Sequence, residues 1–117
     1  MIVSSTQHAL IARVAGPQVS AENAVRMKDS LLTLVEQGAC NLIVDLGSVK
    51  SIDSSGIAAF LVILKRLGPR GELVLSNMSL RVAQAFRITR MDRVFTIVPN
   101  LAKACELFGD TGLREAA

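Results

Sequence analysis

The first strong pattern along the chain is a helical one. Ala24, Met27, Leu31, Leu34 and Val35 recur at the three-and-four spacing that puts them on one face, with Arg26, Asp29, Thr33 and Glu36 on the other. Ser20 is a suitable N-cap, Glu22 falls in the first turn, and Gly38 suits the position just past the end. Glu22 and Arg26 are spaced as an i,i+4 pair. Two short apolar runs precede this helix, Ile2 to Ser5 and Ala9 to Ala15. They read as strands with His8 at the turn between them, and Gly16-Pro17 ends the second. Asn41 to Leu46 follows as a buried strand. A strand, a helix and a further strand in that order predict a parallel crossover.

The next run cannot be assigned by period. Residues 57 to 64 are all apolar, followed by Lys65-Arg66-Leu67-Gly68-Pro69. With Ser54 and Ser55 the run is long for a strand and ordinary for a helix, and Gly-Pro stops it. A helix apolar all round is expected to be buried on most sides. Gly47 to Ile52 links it to the preceding strand and has room for a short extended piece. Downstream, Gly71 to Ser76 is a strand. Ser79 caps a helix running to about Arg90, with Val82, Ala83 and Phe86 inward. Val94 to Val98 is the last strand, and Leu101 to Phe108 a short helix ended by Gly109. The expected order is β-β-α-β-α-β-α-β-α. This is one α/β domain over residues 1–109, a mixed β-sheet packed with about four α-helices. Residues 110–117 are a weakly patterned tail expected to fray.

Composition narrows the chemistry. The chain has 117 residues, half of them apolar, enough for one core. Cys40 and Cys105 lie in no metal-type spacing and are expected as two small core residues. No basic-then-apolar leader stands at the N-terminus, and the longest apolar run is far short of a membrane span. A cytoplasmic protein without membrane insertion is the default. The net charge of +3 would permit nucleic-acid binding, but there is no Trp or Tyr to stack on bases. Arg81, Arg87, Arg90 and Arg93 form the one basic concentration, expected as a solvated helix face, with docking of an acidic partner as the alternative.

Catalytic machinery is hard to assemble. Neither a Walker loop nor a Gly-x-Gly-x-x-Gly turn nor a Gly-x-Ser-x-Gly elbow is present. The single histidine, His8, lies in a surface turn. Asp45 and Asp53 could be imagined as paired carboxylates, but Asp45 is expected to be a strand-end residue satisfied by backbone donors. No enzyme, cofactor or metal is expected.

The informative segment is Ile52-Asp53-Ser54-Ser55-Gly56-Ile57. It sets a carboxylate and two hydroxyls at the first turn of an apolar helix, where Asp53 or Ser54 can accept from otherwise unpaired N–H groups. Gly56 removes bulk beside Ser55, so that another chain could approach. Taken alone, this is a polar cap of the kind any apolar helix needs.

Together with the strand Leu42-Ile43-Val44-Asp45-Leu46 and with Val49, the segment closely resembles the anti-sigma factor antagonist family and its STAS domain. The resemblance extends over nearly the whole chain in element order and length. It implies a phosphorylation switch at Ser55, the hydroxyl before the glycine. The implied partners are an anti-sigma factor, usually a serine kinase, and a phosphatase that acts on phospho-Ser55. It implies no catalysis by this chain. Asp53, Ser54, Ser55, Gly56, Ile57, Val19 and Ser20 are the expected partner-binding positions. Val19 stands where the family commonly has an Asp, which would make that surface less polar. Two other readings stay open. One is a STAS module of another assembly, either a signalling complex or a lipid-transport subunit. The other is a weak nucleotide- or anion-binding domain using the helix N-terminus near Ser54.

Overall fold

The computed structural model describes residues 1–110. Its sheet has five strands in the spatial order β1-β2-β4-β6-β7, where β1 is Ile2–Ser5, β2 Leu10–Arg13, β4 Asn41–Asp45, β6 Glu72–Ser76 and β7 Thr96–Val98. β1 and β2 pair antiparallel; the remaining neighbours pair parallel, with Ile11 opposite Ile43 and Ile43 opposite Val74. The sheet is therefore mixed, as the strand-helix-strand pattern predicts. The central strand β4 is buried on both faces, which is why it reads as an unbroken apolar run.

Among the described residues, four helices cover the sheet: α1 Ala24–Glu36, α2 Ser54–Leu67, α3 Leu80–Ile88 and α4 Leu101–Leu107. The larger core joins Met27, Leu31 and Val35 of α1 to Phe60 and Ile63 of α2, to Val82 and Phe86 of α3, and to one sheet face through Leu42, Val44 and Leu75. The other sheet face presents Ile11, Ile43 and Val74 to Ala104 and Cys105 of α4. The apolar run of α2 is buried on one broad side, and Ala58 and Val62 remain exposed.

Several local expectations change. The α1 helix starts at Ala24, not after Ser20, and Glu22 lies in the turn before it. Asn23 spends its side chain on that turn: its Oδ1 accepts from Ser20 N–H at 2.9 Å and its Nδ2 donates to Gln18 O at 2.8 Å. The Ser20 carbonyl, rather than its hydroxyl, receives the first N–H groups. The short extended piece expected between Gly47 and Ile52 is present, and it pairs with a strand that the sequence pattern does not predict. β3, Gln18–Val19, runs parallel to β5, Ser51–Ile52. Cys40 is exposed, while Cys105 is buried, and burial followed by the nearby Asp110 charge pushes the Cys105 thiol pKa up. Asp110 does not belong to a loose tail: it is buried, accepts a hydrogen bond from Thr6 Oγ1 and lies 3.9 Å from His8 Nε2. The rest of the expected tail, residues 111–117, lies outside the described residues.

Asp45 closes the end of β4. It is 2% exposed and accepts from Arg13 Nε at 3.0 Å, Gly47 N–H at 2.9 Å and Asn77 Nδ2 at 3.1 Å. Side chains supply two of these donors, so the expectation of backbone donors alone is incomplete. Its carboxylate ties together the end of β2 and the turns after β4 and β6. Removing it strands donors that fold around it. Asp45→Ala is expected to lower unfolding free energy by about 2 to 4 kcal/mol in urea denaturation.

Candidate functional site

The start of α2 is set by the small β3–β5 ladder. Val19 O accepts from Asp53 N–H at 3.1 Å, so the chain leaves β5 and turns directly into the helix. Asp53 is the N-cap, with extended backbone and an exposed side chain. Its Oδ1 accepts from Ser55 N–H at 2.9 Å and Gly56 N–H at 3.2 Å. Its Oδ2 accepts from Ala21 N–H at 3.3 Å, which fastens the turn before α1 to the beginning of α2. Of the two residues able to cap, Asp53 does so. This anionic cap already occupies N–H groups that an external anion would need, which weighs against a nucleotide or anion site here.

Gly56 has a different role from the one its sequence suggests. It is buried, and a Cβ added there would meet Ile52 Cγ1 at 2.6 Å and Val19 Cγ1 at 2.7 Å. The glycine lets the first turn of α2 sit on the ladder beneath it; it faces the core and not an incoming chain. The same geometry places Val19, which is 2% exposed, and Ile57, which is 5% exposed, in the core. Their side chains face the core and not the surface. Val19 therefore leaves the polarity of the surface unchanged, and an acid at that position would be buried under Gly56. Half-buried Ser20 is the next residue outward.

Ser54 is exposed and Ser55 half-buried. Ser55 differs by lining a groove of about 310 Å³ between α1 and α2, with Ala21, Val25, Lys28, Ala58 and Val62 among its walls. Val25 and Val62 are 59% and 39% exposed, an apolar surface that the sequence pattern places on helices without showing that they adjoin. The site thus consists of a capped helix start, one half-buried hydroxyl and an apolar groove with Lys28 on its wall. Asp45 belongs to the Arg13–Asn77 cluster, with its own set of donors, and is not paired with Asp53.

The profile of the STAS domain family matches residues 1–104. The chain belongs to that family. Among solved structures, an anti-sigma factor antagonist from Mycobacterium paratuberculosis superposes with a TM-score of 0.85 at 18% identity, covering 93% of this chain and 92% of its own. A STAS domain protein from Planctomyces limnophilus, described as an anti-sigma-factor antagonist, gives 0.84 at 18% identity, covering 92% and 97%. The Bacillus cell fate determinant SpoIIAA in its phosphorylated form gives 0.66 at 17% identity, covering 91% and 97%. Identities this low establish the shared fold. Among the described residues, no STAS-domain helix here is long and apolar enough to cross a membrane.

Two substitutions separate the structural parts of the site. Asp53→Ala is expected to cost about 1 kcal/mol as a lost N-cap, read as a lower midpoint in thermal or urea unfolding. Gly56→Ala is expected to cost more, about 1 to 3 kcal/mol, because two core side chains must move.

Proposed function

We propose that this STAS domain is an anti-sigma factor antagonist switched at Ser55. In its unmodified form, the start of α2 and the adjoining groove bind an anti-sigma factor with serine-kinase activity. Phosphorylation of Ser55 ends that contact, and a phosphatase restores it. The chain acts as substrate and partner and catalyses nothing itself. The observation that carries this reading is the position of Ser55, half-buried on the wall of the apolar α1–α2 groove. The fold likeness to an anti-sigma factor antagonist, and to SpoIIAA in its phosphorylated form, is consistent with it.

A phosphate on Ser55 adds about −1.5 to −2 charges at neutral pH. The helix dipole favours that charge at the N-terminus. The Ser55 and Gly56 N–H groups, however, already donate to Asp53. The phosphate must share them with a second anion or remain in the groove, where Lys28 is the cation on the wall. Solvent on the open side of the groove screens the repulsion, so the domain stays folded. A partner seated in the groove removes that solvent. Burying an unmatched charge at an interface costs about 2 to 5 kcal/mol, which corresponds to roughly 30-fold to several-thousand-fold in affinity. Asp53, Ser54, Ser55 and Ser20 supply the polar rim of the contact, and Val25, Ala58 and Val62 its apolar part.

The test is coexpression with candidate anti-sigma kinases, followed by intact-mass measurement. The wild type is expected to gain one phosphate and Ser55→Ala none, with Ser54→Ala behaving as wild type. The phosphorylated protein is expected to lose at least about 30-fold in affinity for the kinase. Modification at Ser54 instead, or equal binding by both forms, would overturn the proposal.

A further inference from the structure

We propose that the outer face of α3 and the turn that follows it form a second docking surface, for an acidic segment of a partner protein. The inference is independent of the Ser55 reading.

The inner side of α3 is fully used. Val82 and Phe86 are buried, and Phe86 meets Phe95 edge-on with centroids 5.6 Å apart, which fixes the 3-10 turn Met91–Arg93 against the helix. The outer side is the opposite. Leu80 is 84% and Ile88 81% exposed, among the most exposed large apolar residues described. At 100° per residue, Leu80, Arg81, Gln84, Arg87 and Ile88 share an arc of roughly 120°. Arg90 has a left-handed backbone, φ 61°, that reverses the chain after α3. Arg90, Arg93 and Val94, all exposed, continue the surface beyond that reversal.

The charge of this surface is unbalanced. Among the described residues, Arg13, Arg66 and Lys103 make ion pairs and His8 lies beside Asp110, but none of the four arginines here has an acidic partner. Asp92 is the single acid between Asn77 and Pro99. Apolar side chains interspersed with arginine match the make-up of protein interfaces, where aliphatic anchors are surrounded by guanidinium forks. Carboxylates suit those forks, since each can take two parallel N–H bonds.

Other occupants fit less well. A membrane-surface helix separates its apolar side from its basic side, and here the apolar side of α3 is committed to the core. Nucleic acid would gain nothing from Leu80 and Ile88, and Phe60, Phe86 and Phe95 are buried away from any base. Among the described residues of a second copy, Glu36 and Glu106 already lie beside Arg66 and Lys103, and Asp45 and Asp110 are buried.

The test titrates the ¹⁵N-labelled chain with a synthetic peptide of alternating Glu and Leu. Amide shifts confined to Leu80–Val94 are expected, with binding that weakens as salt rises. The dissociation constant is expected to rise about tenfold or more in the double variant Arg81→Glu/Arg87→Glu. Ile88→Ser, at an exposed position, is expected to weaken binding while leaving the fold signals in place. Lack of shifts in this segment, equal binding of the same peptide with Lys for Glu, or insensitivity to the charge reversal would overturn the proposal. So would tighter binding, through these residues, to phosphatidylglycerol vesicles, to a single-stranded oligonucleotide or to a second copy of the chain.

Discussion

The contact of Gly56 with Val19 and Ile52 is the constraint on which the site depends. A two-residue ladder carries little stability by itself. Here each of its strands contributes a buried side chain, and the first turn of α2 rests on both. That seat determines where the helix begins and therefore where Asp53 can cap it. The cap then reaches across to Ala21, so the start of α2 and the approach to α1 are held by one carboxylate. Ser55 inherits its position from this assembly. Its hydroxyl is placed at the groove wall by the buried Gly56 seat and the exposed Asp53 cap.

The division of labour within Asp53–Ile57 follows from the same geometry. Gly56 and Ile57 hold the helix down, Asp53 caps it, and Ser54 and Ser55 remain on the outside. A motif of five adjacent residues thus contains both foundation and surface. A charge added at Ser55 acts mainly on what lies in the groove, because the foundation beneath it is apolar and already packed. In the switch proposed for Ser55, this arrangement lets binding change while the fold is kept.

Much of this was legible from sequence because long periodic or apolar segments declare themselves. The α1 stripe, the β4 run and the length of the α2 run each identify an element, and their order gives the parallel crossover. The β3–β5 ladder was not legible. Two residues per strand have no period, and Gln18–Val19 sits in a loop rich in turn signals. Without the ladder, local pattern leaves Val19 on the surface and Gly56 open to a partner; with it, both are core. Ser20 and Asn23 are both good caps, and the choice between them depends on a loop bond from Asn23 to Gln18 that no local rule predicts. Asp110 reads as tail from local pattern because its donor, Thr6, lies nearly a whole chain length away. The groove itself was hidden for a simpler reason. Val25 and Val62 lie on different helices, and only their packing makes them neighbours.

The most direct measurement is the ¹⁵N–¹H spectrum of the full chain carrying phosphoserine at position 55, compared with the unmodified chain. Shifts are expected only in the turn before α1, in residues 53–58 and in the groove wall around Lys28, with the strand amides of β2, β4 and β6 unchanged. Shifts spreading through those strands, or loss of dispersed signals, would contradict that expectation.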